Sequence, residues 1–335
     1  MVQFLGLLLL SFAITSFLIV PFIDLLYKFK FRRRRQETKD VLAKRTPIFD
    51  KFHSWKAGTP VGGGVLIILV TSLLTLWAQA LLGVRGKFWE IFVLLFTFLS
   101  FGILGFIDDL KKSVVSPKAK FFGLRFHHKL LIQLALALVI GIIFYFRLGY
   151  DFVFIHWIGK LNLGLLFIPF ATLSVVFFSN AFNITDGLDG LSCGLLVICL
   201  FAFGALAARM LDPILGIFIS LWLGSLIAFL YFNIYPARIW LGDIGALSFG
   251  ATLAVIGLLT GKIVGLGVIG GVFVIEALSS LLQLSAKKFW GKKILKAAPL
   301  HLYLQYKGWE EPKIVMRAWL AGIILAVFGL WLAAL

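Results

Sequence analysis

Long apolar stretches divide this chain of 335 residues and strongly limit what it can fold into. A stretch of about 20 apolar residues is long enough to cross a bilayer as an α-helix. Overall, 61% of the residues are hydrophobic and 14% are charged, whereas soluble domains average about half apolar and a quarter charged residues. The sequence therefore predicts an all-α polytopic membrane protein, with ten transmembrane helices in a single integral membrane domain over residues 1–335. The predicted spans are 3–27, 61–82, 89–107, 130–148, 161–179, 191–209, 214–232, 246–260, 263–285 and 315–334.

The basic residues predict how these spans are oriented. Eleven Lys and Arg residues follow the first span, from Lys28 to Lys56, and short connections of this kind face the cytoplasm. The first span lacks a preceding basic region and a small-residue cleavage site, so we expect it to be retained. Both termini are then outside, and the net charge of +17 reflects membrane topology rather than nucleic-acid binding. By alternation, the other cytoplasmic connections are 108–129, 180–190, 233–245 and 286–314.

Three smaller features complete the predicted architecture. Residues 285–296 mix aromatic and apolar side chains with five lysines, which favours an amphipathic helix along the cytoplasmic interface. Residues 151–162 alternate apolar and polar side chains, which favours a short outer hairpin. Cys193 and Cys199 lie in one apolar stretch and are expected to be packing residues rather than disulfide or metal partners.

The first polar motif closes the third span and contains Asp108, Asp109 and Lys112. Two adjacent carboxylates at a membrane boundary repel each other and are costly to desolvate, so a divalent cation or a neighbouring lysine would stabilise them. The dipole at a helix C-terminus also disfavours them. A solvated helix end is the alternative, but stability alone does not explain the pair, and the motif favours a functional site.

The second polar motif, residues 180–190, places two Asn, two Asp and two Gly within eleven residues. Carboxylate and amide oxygens are hard ligands suited to Mg²⁺, and glycine allows a ligand to approach the backbone. An Asp-Gly pair also marks ordinary turns. Because Asp186-Gly187 and Asp189-Gly190 both occur, a functional site is favoured over a simple turn.

Two further loops carry candidate groups. Asp243 stands at the entrance to the eighth span, where an N-cap role is the alternative to a functional one. Lys56 precedes the glycine-rich run GTPVGGG, and glycines entering a helix can present N–H groups to a phosphate. The Gly-Lys-Ser/Thr ending of a P-loop is absent.

The last part of the chain contributes an intramembrane carboxylate and a histidine. Glu276, Ser279 and Gln283 fall on one face of a helix within the ninth span. An ionisable group there is a functional candidate by default, with hydrogen bonding between helices as an equal alternative. His301 lies in the last cytoplasmic connection and is placed to contact a phosphate or to serve a structural role. The remaining histidines are expected to be structural or interfacial: His53, His127 and His128.

Five motifs in this order resemble the polyprenyl-phosphate N-acetylhexosamine-1-phosphate transferase superfamily: KAGTP, GFIDDLKK, NAFNITDGLDGL, WLGDIG and APLH…KGWEEPK. The resemblance extends from Lys56 to Arg317 and matches a ten-span layout. The branch it resembles most transfers phospho-N-acetylmuramoyl-pentapeptide from its UDP carrier to undecaprenyl phosphate. The resemblance implies that UMP is released, that lipid I forms and that Mg²⁺ is required. It further implies a multi-pass protein of the bacterial inner membrane and leaves a homodimer open.

The resemblance also implies roles for individual residues. Asp243 would ligate Mg²⁺, while Asp108 and Asp109 would lie beside the lipid phosphate, with Asp108 a candidate base for it. The remaining members of the catalytic centre would be Asn183, Asp186 and His301. The substrate-binding positions would be Lys56, Thr59, Lys112, Lys129, Asn180, Gly187, Leu188, Asp189, Asn233 and Trp240.

The chain departs from the family pattern in the last motif. Leu302 and Tyr303 stand where the family has its second and third histidines, and Gln305 replaces a glutamate. The runs GTPVGGG and GDIGALS also differ from the usual ones. Two other functions remain open from the sequence: a sister transferase for GlcNAc-1-phosphate, and a transporter using Glu276 and the glycine-rich spans. Transporter sites lie near the bilayer midplane, whereas these carboxylates gather at one surface.

Overall fold

The computed structural model describes residues 2–32, 52, 56–83, 87–114, 123–155 and 158–334. Most of the predicted basic connection, residues 33–51, and His53 lie outside the described residues. The helices are α1 Val2–Lys28, α2 Gly63–Leu82, α3 Phe88–Val114, α4 Phe126–Phe146, α5 Phe167–Thr185, α6 Leu191–Arg209, α7 Pro213–Asn233, α8 Gly242–Leu259, α9 Ile263–Ile269, α10 Gly271–Phe289, α11 Leu300–Tyr306 and α12 Glu311–Ala334. Strands β1 Phe152–Ile155 and β2 Gly159–Asn162 precede a 3₁₀ turn, Gly164–Leu166.

The described residues contain nine helices long and apolar enough to cross a membrane. Helices α9 and α10 are bent by 78° and supply a tenth span when taken as one broken span. This confirms the predicted all-α polytopic membrane architecture. The short hairpin is also confirmed, because β1 and β2 pair antiparallel from Phe152 opposite Asn162 to Ile155 opposite Gly159.

Two predicted span ends were wrong by about two turns of helix, and the start of the eighth span was wrong by about one turn. Helix α3 continues through the Asp108–Asp109 pair to Val114, and α5 continues through Asn180 and Asn183 to Thr185. Helix α8 begins at Gly242, so Asp243 lies in its first turn and is not the N-cap residue. The prediction placed these span ends at the first polar side chains, where the apolar pattern stops. In the structure the backbone stays helical there, because protein surrounds those polar groups.

The interfacial helix predicted over residues 285–296 is present only in its first part. Helix α10 ends at Phe289, and the chain from Trp290 to Pro299 has no helix. Gly291 has a φ of +65°, a left-handed conformation that ends regular helix. The Gln283 side chain then bonds the backbone of Ile294 and Leu295, which replaces helical hydrogen bonds.

Helix α8 occupies the centre of the bundle and is buried along almost its whole length. Its Phe249 ring packs against Phe98 of α3 at 5.6 Å and Trp222 of α7 at 5.2 Å. A Cβ placed on Gly105 of α3 would lie 2.2 Å from the Asp243 carbonyl oxygen. Only glycine permits this approach, which brings the polar ends of α3 and α8 together.

Candidate active site

Three carboxylates and two lysines from three helices form one cluster where α3, α4 and α8 meet. Lys112 Nζ lies 2.9 Å from Asp108 Oδ2, 2.9 Å from Asp243 Oδ2 and 3.9 Å from Asp109 Oδ1. Lys129 Nζ lies 3.2 Å from Asp108 Oδ2 and also contacts Asp243 Oδ2. The cluster therefore brings three acidic side chains together with two lysines. Such a centre can bind and orient phosphate groups and a cation.

Backbone groups hold two of these carboxylates in place. The Leu124 N–H donates to Asp108 Oδ1 at 2.6 Å, and the Ile244 N–H donates to Asp109 Oδ2 at 3.1 Å. Gly242 has a φ of +80°, and a Cβ there would lie 2.6 Å from Asp109 Oδ2. The N-terminus of α8 can thus donate to Asp109 because residue 242 has no side chain.

The glycine-rich run before α2 does not form the phosphate cradle that its sequence suggested. The N–H groups of Gly62 and Gly63 donate to the Trp240 carbonyl at 3.1 and 2.9 Å, and the Gly64 N–H donates to the Leu241 carbonyl at 3.0 Å. A Cβ on Gly64 would lie 2.5 Å from the Gly245 Cα. These glycines allow α2 to pack against the start of α8, which carries Asp243.

A second charged group lies beside the cluster and is buried. Lys56 is 2% exposed, and its Nζ lies 2.7 Å from Asp189 Oδ1 and 2.5 Å from Glu311 Oε1. Glu311 also accepts the Asp189 N–H at 2.6 Å, and Asp189 accepts the Ala237 N–H at 3.0 Å. Lys56 Nζ lies 4.9 Å from the Trp240 ring centroid. Four loops predicted to share a face therefore meet around one ammonium group.

Asn233 connects two of these loops through its side-chain amide. Its Oδ1 accepts the Gly190 N–H at 3.2 Å, and its Nδ2 donates to the Ile239 carbonyl at 3.0 Å. The Trp319 indole donates to the Gly190 carbonyl at 3.2 Å. Asn233 thus fixes the shape of a predicted substrate-binding region.

His301 is brought to this region by the intramembrane carboxylate. It is 2% exposed, and its Nδ1 lies 3.0 Å from Glu276 Oε2. Its backbone N–H donates to Glu276 Oε1 at 3.1 Å. On the other side, a Cβ on Gly187 would lie 2.4 Å from His301 Nε2. The predicted Glu276, Ser279 and Gln283 face therefore anchors the last connection.

Other predicted residues are placed around these contacts rather than within the carboxylate cluster. Asn180 donates to Gln133 Oε1 at 2.7 Å, and Asp186 accepts the Ser192 hydroxyl at 2.5 Å. Leu188 is buried, whereas Asn183 and Thr59 are partly exposed. His127 and His128 are exposed at the start of α4, in agreement with an interfacial position.

Sequence reasoning missed Glu311 as a member of this site. The residue lies within the KGWEEPK motif, so the signal was available, but its partner Lys56 is 255 positions away. The Leu124 N–H was also missed, because backbone donors leave no trace in a sequence.

The cluster has the donor chemistry that Mg²⁺ requires. Within the described ranges, no group of three acidic, histidine or cysteine side chains is arranged as a preformed metal site. Lys112 nevertheless lies within 2.9–3.9 Å of oxygens from Asp108, Asp109 and Asp243. These carboxylates converge on one cation, and carboxylate oxygens are the ligands that Mg²⁺ prefers.

Comparison with known proteins places the chain among membrane transferases. Residues 91–261 match the model of glycosyl transferase family 4. A phospho-N-acetylmuramoyl-pentapeptide-transferase of Geobacter sp. (strain M21) is 38% identical over 297 residues, covering 83% of this chain and 80% of the relative. The enzyme of the same name from Geobacillus sp. (strain WCH70) is 36% identical over 332 residues, covering 96% and 95%. That of Chloroflexus aggregans is 38% identical over 310 residues, covering 88% and 83%.

Proposed function

Because the chain belongs to glycosyl transferase family 4, we propose that it is a phosphoglycosyl transferase that forms lipid I. It transfers phospho-N-acetylmuramoyl-pentapeptide from its UDP-linked donor to a polyprenyl phosphate in the membrane and releases UMP. The observation that carries this function is the similarity to relatives named for this transfer over most of both chains. The carboxylate–lysine cluster at one end of the helical bundle is the centre that the reaction needs.

The location of the cluster suits a reaction between a lipid phosphate and a soluble nucleotide. An oxygen of undecaprenyl phosphate attacks the β-phosphorus of the UDP-linked sugar, and the bond from that phosphorus to the UMP oxygen breaks. Phosphoryl transfer depends on positioning and charge neutralisation. Lys112 and Lys129 supply positive charge at the cluster. The lipid phosphate is already largely ionised at neutral pH, so Asp108 orients it more than it deprotonates it.

Mg²⁺ is proposed as the cofactor, held by Asp243 with Asp108 and Asp109 beside it. When bound, a divalent cation neutralises the charge that develops on phosphate oxygens. Asp243 contacts both lysines, so a cation held by this carboxylate would compete with the ammonium groups for its oxygens. The same contacts hold Lys112 and Lys129 close to the phosphates that they would stabilise.

The neighbouring Lys56–Asp189–Glu311 group is proposed to form the nucleotide side of the site. Lys56, Asp189, Asn233 and Trp240 are among the substrate-binding positions that the family resemblance implies, and the contacts above bring all four together. Asn183 lies in the last turn of α5, and Asp186 follows directly after that helix. His301, held against Gly187, adds a ring nitrogen to the same region.

The cellular setting follows from the spans and the bacterial relatives. The protein is a multi-pass membrane protein, and we place it in the bacterial inner membrane with the cluster on the cytoplasmic side. The substrates would be UDP-MurNAc-pentapeptide and undecaprenyl phosphate, with no nucleic acid involved. A homodimer is compatible with this arrangement.

The decisive experiment gives the purified protein undecaprenyl phosphate with either UDP-MurNAc-pentapeptide or UDP-GlcNAc and measures UMP release. We expect release from the first donor only, its loss on chelation, and its recovery with Mg²⁺. Asp243→Asn should abolish release, while Asp24→Asn, which changes an exposed carboxylate on α1, should not. Release from UDP-GlcNAc alone would identify the sister transferase instead, and full activity of Asp243→Asn would exclude the proposed role of that residue.

A further inference from the structure

One exposed basic segment is not used by the proposed reaction. Residues 287–296, which we call the basic hook, contain five lysines and no acidic residue. Its apolar side chains are strongly exposed: Phe289 at 75%, Trp290 at 72% and Ile294 at 58%. Lys288 and Lys296 lie near aromatic rings, those of Phe289 and Tyr306, each at 5.7 Å. A basic surface with protruding aromatic groups binds a partner that is both anionic and apolar.

The basic hook continues an apolar stripe of the helix before it. Ile275, Leu278 and Leu282 are exposed on α10, and their spacing puts them on the same helical face as Phe289. In a spanning helix such a face contacts lipid. Aromatic rings and lysines at the end of a lipid-facing stripe lie at the depth of the phospholipid headgroups.

Hydrogen bonds from polar side chains beside this stripe on α10 hold the basic hook in position. Gln283 Oε1 accepts the N–H groups of Ile294 and Leu295 at 3.1 and 2.9 Å, and Gln283 Nε2 donates to the Leu295 carbonyl at 2.7 Å. One turn further back, Ser279 accepts the Leu300 N–H at 3.0 Å. The basic hook therefore has a fixed shape, and its lysines and aromatic groups are presented together.

We propose that the basic hook is a docking site for anionic phospholipid headgroups of the membrane leaflet beside the candidate active site. Charge complementarity selects an anionic partner, and the alignment of Phe289 with the lipid-facing stripe, next to the exposed Trp290, selects a bilayer over a soluble acidic protein. Each lysine close to an anionic leaflet strengthens binding by about fivefold. Because the anchored segment leads directly to His301, docking also holds the connection that carries this residue.

Quenching of Trp290 fluorescence by brominated lipids tests the docking site without relying on transferase activity. The full chain is reconstituted in phosphatidylcholine vesicles that contain equal fractions of either brominated phosphatidylcholine or brominated phosphatidylglycerol. Subtracting the signal of a Trp290→Phe variant isolates the response of this residue. We expect phosphatidylglycerol to quench Trp290 more strongly than phosphatidylcholine, because the lysines concentrate it there.

A matched pair of double variants separates the basic hook from the general basic character of this face. Lys292→Gln with Lys293→Gln should lower the excess quenching by phosphatidylglycerol at least about fivefold. Lys28→Gln with Lys30→Gln removes the same charge from exposed positions at the end of α1. This double variant should leave the excess quenching by phosphatidylglycerol unchanged. UMP release in detergent should be unaffected by both, so a failed transferase assay would not bear on the docking site.

Three results would overturn the proposal. Equal quenching by the two lipids would show that headgroup charge is not recognised. An equal loss of the excess quenching by phosphatidylglycerol in the two double variants would show that the effect does not depend on the basic hook. Absence of quenching by either lipid would show that Trp290 is covered by something other than the bilayer.

Discussion

The carboxylate of Glu276 accepts hydrogen bonds from both the ring and the backbone of His301, with Nδ1 at 3.0 Å and the backbone nitrogen at 3.1 Å. A carboxylate beside Nδ1 keeps the proton on that nitrogen, so Nε2 is left facing Gly187. Glu276 is therefore a positioning residue that sets the orientation of the histidine ring. This explains why an ionisable side chain is retained in an otherwise apolar span.

Replacing Glu276 tests this arrangement. We expect Glu276→Ala to lower kcat for UMP release roughly 10- to 100-fold, since a buried donor that loses its partner costs about 1–3 kcal/mol. Glu276→Gln, which keeps an acceptor oxygen, should recover part of the loss. KM for the nucleotide should change less than kcat.

Ser279→Ala is the control for Glu276, because it removes a hydrogen bond to the Leu300 N–H on the same helical face without touching His301. Its effect on kcat should be smaller. Wild-type kcat in Glu276→Ala would contradict the positioning role.

Gly187→Ala is expected to displace His301 from its place. The added methyl group would lie 2.4 Å from His301 Nε2, and insertion into a packed site costs about 1–3 kcal/mol. UMP release should fall at least about tenfold, while the protein remains folded by size-exclusion chromatography. Gly6→Ala, at a helical glycine with nothing within 4 Å, provides the control. Equal activity of the two variants would show that the ring does not need this position.

The buried ion pairs of Lys56 predict that removing Lys56 destabilises the protein more than neutralising its partner Glu311. Lys56→Met leaves Asp189 and Glu311 together without their ammonium partner, and removing one member of a buried ion pair costs about 3–5 kcal/mol. Glu311→Gln keeps the 2.7 Å pair between Lys56 and Asp189 and should cost much less. Thermal unfolding in detergent measures both, and a Glu311→Gln variant as unstable as Lys56→Met would contradict this account.

The sequence predicted the spans and the shared face well, because both follow from local properties. Apolar length predicts helices in a membrane, and charged connections predict which loops meet. Its errors came from side chains whose environment is set by distant parts of the chain. Asp108 and Asn180 stand directly after the predicted span ends, although α3 and α5 both pack against α8 and stay helical beyond these residues.

The contacts within the site were less predictable than its members. The cluster of Asp108, Asp109 and Asp243 was anticipated as a group. The N–H groups of Gly62 and Gly63 were considered as donors to a phosphate, and they donate instead to the Trp240 carbonyl. Hydrogen bonding across such distances depends on how closely helices approach, which single residues do not reveal. The sequence left open whether Glu276 has a functional or a structural role. Its hydrogen bonds to His301 show a structural role that positions a residue of the candidate site.

The shared use of Asp243 by two lysines leads to a prediction about metal affinity. Lys129 contacts Asp243 and lies 3.2 Å from Asp108, so it competes with a divalent cation for the same oxygens. Lys129→Met should therefore bind Mn²⁺ at least about tenfold more tightly, because one opposing charge a few ångströms away is removed. Electron paramagnetic resonance of free Mn²⁺, measured without nucleotide, reports this affinity independently of activity. Lys111→Met removes the same charge from an exposed position on α3 and should leave the affinity unchanged. Weaker Mn²⁺ binding by Lys129→Met would mean that the lysine supports the cation site instead of competing with it.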